Sequence, residues 1–205
     1  MKKFVLSLGL LMGVACAANA QETRFGIKAG VSLASVSGKN TEEAKNLVGA
    51  TAGVMADFSF SDLISFHPEL LYSQKGAKIE SSSTGFTQTG QVRTGYIDVP
   101  LLLRVKANGL FFEAGPQVGF LISQKSEQTV TIQGFGTQSN TNTSTKGTRK
   151  VDLGYIAGVG YQLPQGLEIG LRYNGGISDL SDPSGSSKNR NSVFQLQLGY
   201  LFGGK

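Results

Sequence analysis

Ile97-Asp98-Val99-Pro100-Leu101-Leu102-Leu103-Arg104-Val105-Lys106 runs into Ala107-Asn108-Gly109, and the chain returns as Leu110-Phe111-Phe112-Glu113-Ala114-Gly115-Pro116-Gln117-Val118-Gly119-Phe120. On the first arm Ile97, Val99, Leu101, Leu103 and Val105 alternate with Asp98, Pro100, Leu102, Arg104 and Lys106. On the second, Leu110, Phe112, Ala114, Pro116, Val118 and Phe120 alternate with Phe111, Glu113, Gly115, Gln117 and Gly119. A period of two sustained over this length is the pattern of a β-strand. Two such arms around a short turn predict an antiparallel pair.

The same alternation recurs outward in both directions. Upstream lie Phe25–Leu33, Ala50–Ser59 and Phe66–Lys75; downstream lie Val151–Tyr161, Leu167–Asn174 and Phe194–Phe202. That makes eight segments, and no helical period of comparable length competes. Short turns join the second to the third (Ser61-Asp62-Leu63), the fourth to the fifth, and the sixth to the seventh (Pro164-Gln165-Gly166). Long polar stretches, roughly 36–47, 79–93, 124–149 and 175–191, join the others and are expected to be loops. The stretch 124–149 is too polar to bury a core and is expected to be mobile. Short turns at one end and long loops at the other predict an all-β, eight-stranded antiparallel up-and-down transmembrane β-barrel, with both termini at the short-turn, periplasmic end.

A soluble barrel of eight strands would show the same period but would turn its apolar face inward and a Lys- and Glu-rich face to water. Here the less apolar face is rich in Gly, and a narrow lumen requires small residues. Of 205 residues 28 are Gly, only 16 % are charged and 40 % are hydrophobic. The apolar face therefore belongs against lipid. Threading the strands by turn length sorts the outward aromatics into two bands. Phe25, Phe58, Phe66, Phe112, Tyr161, Tyr200 and Phe202 fall near one end; Tyr72, Phe120, Tyr155, Tyr173 and Phe194 fall near the other. Rings collect at membrane interfaces in this way.

Residues 1–20 read as a secretory signal, with Lys2 and Lys3 before the apolar run Phe4–Val14 and with Ala18-Asn19-Ala20 as the cleavage site. The mature barrel domain would then span 21–205. Cleavage would remove Cys16, the only cysteine, and lower the formal charge from +5 to +3 by removing two lysines. A mild positive charge without a basic stripe, on an exported chain, argues against nucleic acid. One Cys and one His exclude a disulfide framework and a zinc site built from several such ligands.

Gly26-Ile27-Lys28-Ala29-Gly30-Val31, Pro68–Gly76 and Tyr96–Leu102 resemble the outer-membrane β-barrel domain often labelled "porin family protein". Glu113-Ala114-Gly115-Pro116, Arg172-Tyr173-Asn174 and the closing strand to Phe202 extend that resemblance over about 23–202. The resemblance implies a small barrel of OmpA or OmpX type in the outer membrane of a Gram-negative bacterium; it does not imply a pore. Gly203-Gly204-Lys205 after the last aromatic departs from barrels that end on that aromatic.

Catalysis finds little support. His67, the only histidine, faces the lumen near the rim with no partner spacing for a nucleophile. Glu42-Glu43, Asp179 and Asp182 lack calcium-loop spacing. No enzyme, metal or cofactor is expected. The residues that demand explanation are the inward charges: Lys28, Asp57, Glu69, Arg104, Glu113 and Glu168 in the periplasmic half, and Lys75, Asp98, Asp152 and Arg172 higher up. Unpaired ions in a narrow interior cost several kcal/mol each, so they are expected to pair, with Glu69–Arg104–Glu113 as one cluster. The function expected is a monomeric barrel surrounded by outer-membrane lipid. Its lumen is plugged by charge, and its outer loops meet an unidentified ligand or surface partner. A narrow diffusion channel for small solutes is the alternative.

Overall fold

The computed structural model describes residues 22–37, 44–83, 86–132, 134, 136–145, 148–178 and 190–203. The signal at 1–20, its cleavage site and the carboxylates Glu42, Glu43, Asp179 and Asp182 lie outside these residues. The strands in chain order are β1 (Glu22–Ser37), β2 (Ala44–Lys45), β3 (Leu47–Ser59), β4 (Ile64–Ser83), β5 (Phe86–Ala107), β6 (Leu110–Ile132), β7 (Gly136–Thr143), β8 (Val151–Gln162), β9 (Leu167–Gly176) and β10 (Arg190–Leu201). Eight of them form a ring of antiparallel pairs, β1-β3-β4-β5-β6-β8-β9-β10, and β10 closes back on β1 from Gly26↔Leu201 to Ser37↔Arg190. Closure removes the sheet edges that an open sheet would leave unpaired.

Adjacent leucines show which face is which. Leu101 and Leu103 are 41 % and 59 % exposed, whereas Leu102 between them is 0 % exposed and packs in the lumen. The same parity holds around the ring, with Phe25, Val54, Leu70, Phe112, Leu153, Leu171 and Phe194 outward. An apolar exterior of this extent suits hydrocarbon, not water. The outward rings cluster as expected at each end. Phe58 stacks on Phe66 at 6.4 Å and Tyr200 meets Phe202 at 5.3 Å. At the opposite end Tyr173 bridges Tyr155 at 6.2 Å and Phe194 at 5.0 Å.

The short turns follow local chemistry. Asn108 and Gly109 both adopt positive φ, 51° and 84°, the geometry whose twist matches a two-residue hairpin, and Asn-Gly tolerates it best. Ser61 Oγ accepts from the N–H groups of Leu63 and Ile64 and so fixes the β3–β4 turn. The Gly166 N–H bonds the Leu163 carbonyl at 2.9 Å. Pro68 and Pro100 interrupt the β4–β5 ladder between Pro68↔Leu101 and Leu71↔Asp98, but the register continues unshifted.

Within the polar stretches 79–93 and 124–149, expected from their composition to be loops, residues 79–83, 86–93, 124–132 and 136–143 are strand. β4 and β5 continue as a hairpin to Ser83↔Phe86, and β6 continues to Ile132 and turns back as β7. Neither extension buries a core. Backbone pairing on an already ordered neighbour supplies the order, with hydroxyl pairs Thr129–Ser139 and Thr131–Thr137, each at 3.0 Å, across β6 and β7. On β6, Lys125 bonds Glu127 at 2.5 Å, which holds that exposed carboxyl below its usual range.

Candidate functional site

The lumen is where the inward residues meet. β5 and β6 place Arg104 directly opposite Glu113. The Arg104 guanidinium donates to Glu113 Oε2 through Nη2 at 2.8 Å and Nε at 3.2 Å, and to Glu168 Oε2 on β9 through Nη1 at 2.8 Å. Lys28 on β1 lies 3.2 Å from Glu168 Oε1 and donates to Glu69 Oε1 on β4 at 2.6 Å. Arg172 on β9 grips Glu69 at 2.7 and 2.9 Å and returns to Glu113 Oε1 at 2.5 Å. The six ions therefore form a closed circuit of alternating sign, Arg104–Glu113–Arg172–Glu69–Lys28–Glu168, drawn from five staves. All six are 5 % exposed or less.

Each ion bridges two of opposite sign, which is how a buried charge avoids an uncompensated desolvation cost. Packing supports the circuit. The Arg104 guanidinium lies 4.0 Å over the Phe111 ring. Gly158 is required beside Arg172, because a Cβ there would press on the Arg172 and Glu113 side chains.

Two smaller groups flank the circuit. Toward the short-turn end, Asp57 accepts from Ser65 Oγ at 2.8 Å and from Lys106, with Arg24 Nη2 3.8 Å away. His67, fully enclosed, sits between this group and the circuit. Its Nδ1 is 3.2 Å from Asp57 Oδ1, and its Nε2 is 3.1 Å from Arg104 Nη2 and 3.3 Å from Glu69 Oε1. The imidazole thus links the Asp57 group to the circuit through both of its ring nitrogens. Toward the other end, Lys75 lies 3.1 Å from Asp98 and 3.4 Å from Asp152, with its ammonium 4.6 Å from the Tyr96 ring centre. Asn191 and Ser178 donate to the two Asp152 oxygens at 2.7 and 2.8 Å.

Two expected placements need correction. Glu69 is not bound by Arg104: the β4–β5 register sets Ser65 opposite Arg104, so Glu69 stands higher on its strand and takes Lys28 and Arg172 instead. Arg172 does not join the upper group. Its long side chain crosses the space left by Gly158 to reach Glu69 and Glu113. Arg24, Lys106, Tyr96, Phe111 and Asn191 were not singled out as site residues. Simple parity with their strand neighbours places the first four inside.

This arrangement leaves little for other chemistry. His67, Glu69 and Glu113 bring one ligand atom each within 4.8 Å of one another. Both carboxylates, however, already accept from the Arg172 guanidinium, with Lys28 or Arg104 as a second cation, so a metal ion would enter against three positive groups. Nor do Ser65, Asp57 and His67 form a nucleophilic triad. The Ser65 hydroxyl donates to Asp57 rather than to the imidazole, and His67 Nε2 faces Arg104.

Among solved structures, the fold resembles Ail, the attachment invasion locus protein of Yersinia pestis, at 16 % identity, covering 89 % of this chain and 100 % of that one with a TM-score of 0.48. It also resembles OprG from Pseudomonas aeruginosa, at 12 % identity, 90 % and 98 % coverage and a TM-score of 0.45. Neisserial surface protein A matches at 15 % identity, 89 % and 100 % coverage and a TM-score of 0.38. No curated protein matches in sequence. Residues 19–182 match the family model of the outer membrane protein beta-barrel domain. With four fifths of its length so matched, and with a closed antiparallel ring that is apolar outside and ionic within, the chain belongs to the outer-membrane β-barrel domain family.

Proposed function

We propose that the protein is a closed, non-conducting barrel of the outer membrane whose role is carried by the strands it extends beyond the lipid, in structural or surface-interaction work and not in transport or catalysis. The observation that carries this reading is the six-ion circuit, in which side chains from five staves meet across the lumen and bond one another. A permeant ion or sugar would have to displace side chains of this circuit, and leaving a buried charge uncompensated costs about 3–5 kcal/mol. Solute-driven swelling of proteoliposomes tests it. Vesicles holding the barrel should swell in small sugars no faster than empty ones; size-dependent swelling would make the protein a narrow diffusion channel.

Export by residues 1–20, with cleavage after Ala20, is part of the same reading. The intact mass of protein recovered from the outer membrane should correspond to a chain beginning at Gln21. A mass retaining residues 1–20 would contradict it.

A further inference from the structure

Beyond the barrel, β5 and β6 continue as a sheet and β7 flanks it on one side. Among the described residues β7 pairs with β6 alone, from Lys125↔Thr143 to Ile132↔Gly136, without a register shift. Among the described residues no strand lies beside its other edge, which presents a row of backbone N–H and C=O groups. Sheet edges are ordinarily blunted by Lys, by Pro or by a bulge that twists the edge away. β7, Gly-Thr-Gln-Ser-Asn-Thr-Asn-Thr, has none of these, and all eight of its residues are exposed. The sheet's charges stop one strand short of the edge, where Lys125 and Glu127 on β6 neutralise each other.

We propose that the β7 edge pairs antiparallel with the β7 edge of a second copy of this chain held in a facing membrane. An edge without charge is compatible with itself, whereas an edge of lysines would meet its copy as like charges. Two copies in one membrane run their β7 strands in the same direction; copies in facing membranes run them in opposite directions, and antiparallel pairing is the more stable of the two. In each copy the residues whose amides point to the free edge share one parity. The twofold axis therefore falls where a residue meets its own counterpart. Thr137, Ser139, Thr141 and Thr143 then line one face of the joint and Gln138, Asn140 and Asn142 the other, hydroxyls beside hydroxyls and amides beside amides. Eight residues give a ladder about 27 Å long.

The proposal rests on the surface-interaction role proposed above for the strands beyond the lipid, but pairing in detergent can be read without it. Sedimentation velocity of the purified full-length barrel at rising concentration should show a reversible dimer. Ser139→Lys with Asn140→Lys, which charges both faces near the axis, should weaken it by about tenfold or more, equivalent to ~1.4 kcal/mol. Ser139→Glu with Asn140→Glu should do the same, and mixing the Lys and Glu variants should restore the dimer, which misfolded variants could not do. Proteoliposomes carrying the wild type should cluster, and those carrying either variant should not. A wild type that stays monomeric overturns the proposal in favour of a strand from another protein. Dimers in detergent without vesicle clustering overturn the facing-membrane geometry.

Discussion

Glu113 accepts from Arg104 on one oxygen and from Arg172 on the other, at 2.8 and 2.5 Å, with no water-facing surface to fall back on. Removing the Arg104 guanidinium leaves two buried carboxylates, Glu113 and Glu168, with one cation each, so Arg104→Met should destabilise the barrel by about 3–5 kcal/mol. Glu113→Gln relieves part of that loss, because an amide needs no counter-ion. In a double-mutant cycle read by urea unfolding in lipid vesicles, the coupling should exceed about 1 kcal/mol. Strictly additive losses would mean that each ion is separately hydrated. On the opposite face, Leu101→Arg should cost about 2–4 kcal/mol in the same assay, because a cation near the hydrocarbon midplane has no partner. A harmless Leu101→Arg would place that strand face in the lumen. The Arg104–Glu113 contact was legible in the sequence, since the two residues are equidistant from the centre of one short turn, between Asn108 and Gly109. The Glu69–Arg172 contact was not. It joins β4 to β9 across the lumen, and the reach of Arg172 depends on a glycine at 158 that one strand's pattern does not reveal.

At the level of elements, strict alternation made every barrel strand legible, together with its inward and outward faces. The extension of β6 and the return of β7 were hidden for a physical reason. Thr, Ser, Asn and Gln on both faces leave no apolar period to read, and the order comes from a neighbouring strand already fixed by the barrel. Composition therefore suggested a loop where pairing builds a hairpin. Orientation is tested at this scale. A cysteine replacing Ser139 on β7 should react with a membrane-impermeant maleimide on intact cells. One replacing Gln165 in the β8–β9 turn should react only after permeabilisation. The reverse pattern would invert the barrel, and equal reaction on intact cells would argue for a protein outside the membrane.

For the whole molecule, closure of β10 on β1 brings five staves within reach of one another, and the sign of each ion determines which neighbours it takes. No single strand carries the circuit: Lys28, Glu69, Arg104, Glu113, Glu168 and Arg172 become one structure only when the ring is complete. The barrel is thereby both crossed by charge and locked by it, so an account of its function depends on whether ions can pass. The direct measurement is single-channel recording on the purified wild-type barrel in planar lipid bilayers at molar salt. The baseline should stay flat, without steps of reproducible size, at applied voltages of either sign. Regular, long-lived conductance steps from the wild type would contradict the plugged lumen and make the protein a small pore.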